Sequence, residues 1–243
     1  MKYRFTFKNV LRRAALIAMT FCTVMLSVHG AQGGGSYSPM RDENVFRRHD
    51  NAYRKIALTF DDGPHPVYTA QILDLLREYD ARATFFVIGS NAAQYPDLLQ
   101  REAAEGHEIG NHTYTHCRMT KATRASLGQE ILQCENVVEE LTDERPDLFR
   151  PPEGKCTAMI SDLAKSLDYR IVLWRIDTLD WKHRPADVIA DEVLSGVTSG
   201  DIILFHDYVG GKSQTVEALR IILPALREQG YDMVTVSELL CSD

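Results

Sequence analysis

The sequence predicts an α/β protein, a distorted (β/α) barrel of about seven parallel strands. Three observations lead there. Its apolar runs are short and continuous, as in KIALTF and ATFFVIG, where a half-exposed sheet would alternate. Amphipathic stretches separate them, which is the pattern of strands covered on both faces by helices. Seven such strand-helix units can be counted, enough for an incomplete ring, although an open doubly wound sheet has the same periodicity.

The elements follow in order. Lys2, Arg4, Lys8, Arg12 and Arg13 precede an apolar run over 14–28 that ends in small residues at Gly30 and Ala31. Residues 1–30 therefore read as a secretory signal, with an uncleaved N-terminal membrane anchor as the alternative. The run falls short of the roughly 20 residues of a bilayer span. Export to the medium, periplasm or cell envelope follows, with membrane association only if the segment stays attached. Residues 31–53 open with GGGSYSP and suit a flexible linker. The body, 54–243, then reads as strand 55–60, helix 70–79, strand 83–89, helix 96–105 and strand 107–111. Helix 125–141, strand 147–150, helix 157–167 and strand 169–174 come next. Helix 186–194, strand 201–207, helix 215–229 and strand 231–236 close it.

Composition bounds the function. The chain of 243 residues carries a net charge of -7 with no basic stripe in its body, which excludes a nucleic-acid surface. Beyond Cys22 in the leader stand Cys117, Cys134, Cys156 and Cys241. In an exported chain they could form two disulfides by any of three pairings. No C-x-x-C spacing supports a cysteine metal site at Cys117 and Cys156.

The polar residues after each apolar run are the informative ones, because strand ends converge in such a fold. Asp61 and Asp62 follow the first strand, then Asn111, His112 and His116, then Arg150, then Asp177 and Asp180, then His206 and Asp207. TFDDGP by itself could be turn punctuation, and a lone H-x-x-x-H is a weak metal signal. Thr113, Tyr114 and Thr115 disfavour a helix there, so an irregular loop should turn both imidazoles the same way. With a strand-end aspartate as third ligand, two nitrogens and one oxygen make a facial set that leaves positions open for water. His49, His65, His107 and His183 read as surface or structural, and Trp174 and Tyr208 as packing or groove-lining aromatics.

The ordered motifs TFDDGP, HTYTH, RPPEG, DTLDW and ILFHD resemble those of the polysaccharide deacetylases, carbohydrate esterase family 4, over roughly 54–240. The resemblance implies a metal-dependent hydrolase that removes the N-acetyl group of N-acetylglucosamine in chitooligosaccharide or peptidoglycan, an N-acetylated β-1,4-linked glycan. It implies Asp61 as general base, Arg150 as its partner, His206 as general acid and Asp177, ahead of Asp180, as the acid orienting it. Asp62, His112 and His116 match the ligands of a divalent metal, zinc by default, with cobalt or nickel also suited. Pro152, Glu153, Trp181 and Leu204 match substrate-binding positions. Glu153 departs from the family's usual aromatic residue, and its carboxylate could compete for the metal. The alternatives are an O-acetyl esterase acting on a xylan-like polymer and a non-catalytic glycan-binding module.

Overall fold

The computed structural model describes residues 42–242; the leader and residues 31–41 of the expected linker lie outside them. Nine strands form one sheet: β1 (Val45–Phe46), β2 (Lys55–Asp61), β3 (Ala83–Val87), β4 (Glu108–Asn111), β5 (Leu148–Phe149), β6 (Arg170–Val172), β7 (Ile176–Asp177), β8 (Ile202–His206) and β9 (Asp232–Met233). Eight follow the order β1-β6-β5-β4-β3-β2-β8-β7, and β9 pairs with the start of β2. Every strand pairing is parallel. No pairing among the described residues joins β7 to β1, so the barrel is curled but open on that side.

The outer helices are α1 (Tyr68–Glu78), α2 (Gly89–Gln94), α3 (Pro96–Ala104), α4 (Arg124–Thr142), α5 (Ala158–Ser166), α6 (Ala186–Gly196), α7 (Thr215–Glu228) and α8 (Val236–Leu240). Six match the expected helices within a few residues. α2 begins at the last residue of the ATFFVIG run and was not expected: with six residues, including Gly89 and Asn91, it has no apolar stripe to announce it. The run at 231–236 divides into β9 and α8, because Thr235 and Glu238 form a reciprocal capping box that starts a helix.

Residues 42–53 correct the linker boundary. Val45 pairs with Ile171, Asn44 Nδ2 donates to the Tyr169 carbonyl at 2.8 Å, and Arg48 makes an antiparallel bridge with Asp201. The folded body therefore includes residues 42–53 and does not start at 54. A two-residue strand such as β1 or β7 carries no periodicity, so only the partner strand reveals it.

Strand alternation divides the core. Along β2, Ile56, Leu58 and Phe60 face the helices, where Phe60 stacks on Phe85 and Phe205 at ring separations of 5.1 and 5.6 Å. Ala57 belongs instead to the inner cluster with Phe86, Leu148, Val172 and Ile202, which Val236 and Leu239 of α8 help to close. A third cluster packs Leu127, Ile131 and Ile160 of α4 and α5 on Phe149 and Ile171. Burying each such side chain contributes about 1.5–3 kcal/mol. The expected disulfides are not formed: Cys117, Cys134, Cys156 and Cys241 are free thiols. Cys134 is wholly buried on α4, with its Sγ 3.5 Å from the Val87 carbonyl, and behaves as a small core residue.

Candidate metal and catalytic centre

All parallel strands end on one side of the sheet, and their last residues carry the site. Inward-facing positions of β2 continue from Ala57 to Thr59 and Asp61, so the inner face turns polar only at its C-terminal end. Asp61 Oδ1 accepts from Arg150 Nη1 at 2.6 Å. Arg150, which leaves β5, is fully buried and has every donor group engaged: Nε with the Val172 carbonyl, Nη2 with the Leu173 carbonyl, Nη1 also with Thr59 Oγ1. Its guanidinium lies over Phe86, 4.1 Å from the ring centroid, and beside Trp174 at 5.5 Å. A buried cation held this way lies directly against the Asp61 carboxylate, so that neither buried charge is left unpaired.

Beside that pair stand Asp62, His112 and His116, whose ligand atoms lie within 4.8 Å of one another. Asp62 Oδ1 is 3.4 Å from Nε2 of each histidine. The same Oδ1 is buried without a hydrogen-bond partner. Nδ1 of His112 donates to the Arg150 carbonyl at 2.7 Å, which directs Nε2 toward Asp62. One unpartnered carboxylate oxygen facing two imidazole nitrogens is the donor set of a divalent cation such as zinc, and these residues fit it.

The backbone is bent to make this cluster. Asp62, Thr113 and His116 all have positive φ, at 78°, 71° and 54°. None is glycine, and such conformations cost on the order of 1–3 kcal/mol each. Side chains hold the loop of HTYTH in place: Asn111 Oδ1 accepts from Thr113 N, Glu130 accepts from Thr115, and the first amides of α2 donate to the Thr113 and Tyr114 carbonyls. Asn91 Nδ2 donates to the Asp62 carbonyl at 2.8 Å. The loop is irregular and brings both imidazoles together, as the sequence suggests.

His206 closes the opposite side at the end of β8. Its Nδ1 lies 2.8 Å from Asp180 Oδ1. Asp180 is fully buried and accepts three further hydrogen bonds, from Trp181 N, His206 N and Thr215 Oγ1. Burial pulls the His206 pKa down, but the bond and charge of Asp180, with Asp61 and Asp62 beyond it, raise it to about 9. This corrects the expectation for Asp177. Its Oδ1 accepts from Leu179 N at 2.9 Å, and so it shapes its own turn instead of reaching the histidine.

The chain matches the model of the family described as polysaccharide deacetylase over residues 48–172. It belongs to the polysaccharide deacetylase family. A peptidoglycan-N-acetylglucosamine deacetylase of Bacillus cereus is 46% identical over 192 residues, 78% of this chain and 90% of that one. A chitooligosaccharide deacetylase of Bradyrhizobium is 34% identical over 198 residues, 76% of this chain and 90% of that one. The solved structure of a family 4 acetyl xylan esterase from Clostridium thermocellum, in complex with a cobalt ion, superposes with a TM-score of 0.72 at 35% identity, covering 76% and 89% of the two chains.

The remaining family positions are placed as follows. Glu153, at φ 60°, turns its carboxylate to Lys155 Nζ at 2.5 Å and is not part of the Asp62, His112 and His116 cluster. Pro152 and Leu204 are buried, whereas Trp181 is 46% exposed at the rim. Asp207, next to His206, is buried under TFDDGP, where Thr69 Oγ1 donates to its Oδ2 at 2.5 Å and its Oδ1 has no partner. Burial pushes its pKa up to about 7 against that bond. The sequence offered no sign of Thr59 or Thr215, because isolated threonines carry no pattern.

Proposed function

We propose that the chain is an exported, divalent-metal-dependent deacetylase that hydrolyses the N-acetyl group of N-acetylglucosamine in peptidoglycan or chitooligosaccharide, releasing acetate. One observation carries this reading: two couples of opposite proton demand, Asp61 with Arg150 and His206 with Asp180, belong to the same site as the Asp62, His112 and His116 cluster. Amide hydrolysis needs both. Asp61, hydrogen-bonded to Arg150, takes the proton of the attacking water. His206, kept protonated by Asp180, gives its proton to the nitrogen as the carbon-nitrogen bond breaks, so that a free amine and acetate result. A divalent cation in the three-residue cluster would acidify the water and polarise the acetyl carbonyl. The Glu153 backbone N–H serves as a second donor to the developing oxyanion. Leu204 and Trp181 wall the acetyl group. Export rests on the basic and apolar leader over 1–30.

The named relatives support the amide substrate, and the acetyl xylan esterase supports an O-acetyl ester as the second reading. Acetate release from N-acetylglucosamine oligomers, peptidoglycan fragments and acetylated xylan separates them. Release from the glucosamine substrates, abolished by chelator and in Asp61→Asn, is expected. Release from xylan alone, or release indifferent to both treatments, refutes the proposal.

A further inference from the structure

Two loops leave the His206 and Asp180 couple, and between them lies an open groove of about 550 Å³ lined by His183, Pro185, Gly210, Gly211, Lys212 and Gln214. His183 stands three residues past Asp180, a reach of at most about 10 Å of chain. The groove is therefore next to the acid couple, and a polymer bound across the centre can run into it past Trp181 and Tyr208, 46% and 41% exposed.

Its chemistry differs from the rest of the molecule. In a chain of net charge -7, none of these six residues is a carboxylate. Lys212 is exposed and has no ion-pair or hydrogen-bond partner for its ammonium among the described residues. His183 Nδ1 donates to the Lys212 carbonyl at 3.2 Å, leaving Nε2 as its unpartnered ring nitrogen. A second cation, Lys182, rests 4.8 Å from the Trp181 ring centroid. The nearby exposed acids, Asp187 and Glu217, do not line the groove, and Glu217 faces Arg220. The cationic wall is also braced: Tyr68 Oη accepts from Ser213 N at 3.2 Å and donates to the Gly211 carbonyl.

We infer that this groove is a subsite for a carboxylate carried by the glycan, so that the chain acts on acidic glycan strands in preference to neutral N-acetylglucosamine oligomers. The inference deepens the proposed function and rests on it for the reaction, though not for binding. An ammonium on a preformed, acid-free wall gains from an anion mainly where water is partly excluded, and the gain is screened by salt.

The test uses one oligomer of alternating N-acetylglucosamine and N-acetylmuramic acid in two forms, with free lactyl carboxylates and with the same groups methyl-esterified. The expected ratio of kcat/KM, acid over ester, is about two- to fivefold at 20 mM salt, expressed in KM. That ratio falls toward one at 200 mM salt and in Lys212→Gln. A ratio of one in the wild type, or a ratio unchanged in both Lys212→Gln and the double variant with His183→Asn, overturns the inference. Calorimetric binding of both forms to Asp61→Asn, or to His206→Gln should the first variant not fold, gives the turnover-independent answer. Preferential binding of the acid form without acetate release from either refutes the proposed function alone. Acetate release with equal binding of both forms refutes the subsite alone.

Discussion

Replacing Asp180 by Asn tests the acid couple most directly. Both carboxylate oxygens accept from a backbone N–H, Oδ1 from Trp181 and Oδ2 from His206. Whichever way the amide is turned, its NH2 group meets a donor, so the variant loses the charge and also acquires a buried clash of donors, costing about 1–3 kcal/mol. The effect on His206 can be sized. A rise from 6.5 to about 9 corresponds to on the order of 3 kcal/mol favouring the protonated form. Asp180 is the largest of three carboxylates that raise it against burial, so its removal lowers the value by about one unit or more. A cation bound beside Asp62 offsets the share of Asp61 and Asp62, which makes the wild-type limb lower than 9 but leaves Asp180 the chief support.

Because a general acid must be protonated, activity falls as pH rises through the His206 pKa. The assay is the pH profile of kcat/KM for acetate release from a defined oligomer. In Asp180→Asn the alkaline limb moves down by at least about one unit, so the rate at pH 8 drops about two- to fivefold, and the loss approaches tenfold only above both limbs. Asp177→Asn, which touches only the Leu179 amide, leaves the limb in place. The sign also governs stability: with its folded pKa raised, His206 stabilises the fold fully below about 6.5, and the contribution disappears as pH rises toward 9. An unshifted alkaline limb in a folded Asp180→Asn protein would refute the assignment of His206 and Asp180.

Other perturbations have equally definite outcomes. Arg150→Met leaves Asp61 buried without its cation, which costs about 3–5 kcal/mol and lowers the thermal midpoint by roughly 10 °C in a scanning experiment. Zinc or cobalt at about 100 times its Kd raises the wild-type midpoint through about 2.7 kcal/mol of linkage. His116→Ala, at the half-exposed ligand, removes that rise with little change in the metal-free midpoint. In Gly63→Ala the new Cβ would stand 1.9 Å from Asp207 Oδ2, so something must move. A loss of about 1–3 kcal/mol in denaturant unfolding is expected.

Much of the fold and of the centre is legible in the sequence. Continuous apolar runs require burial on both faces, which fixes parallel strands under helices and sends the following polar residues to a common rim. That reasoning placed Asp61, Asp62, His112, His116, Arg150 and His206 together, since each directly follows or ends an apolar run or occupies an irregular loop beside one. It put Asp177 ahead of Asp180, and the structure reverses that order. Both follow the same run, and only the left-handed turn at Leu179, φ 54°, buries one carboxylate against His206 while the other shapes the turn. β1 and β7 were invisible because two residues have no period, and residues 42–53 join the fold through partners far away in sequence, among them Tyr169, Ile171 and Asp201.

The sequence by itself determined the layers, the strand ends and the residue types of the centre, because those depend on local periodicity and side-chain chemistry. Tertiary structure alone decided which carboxylate holds His206, and that Lys212 and His183 meet at an acid-free groove. Each of those is a contact between chain segments whose separation in space no local pattern encodes.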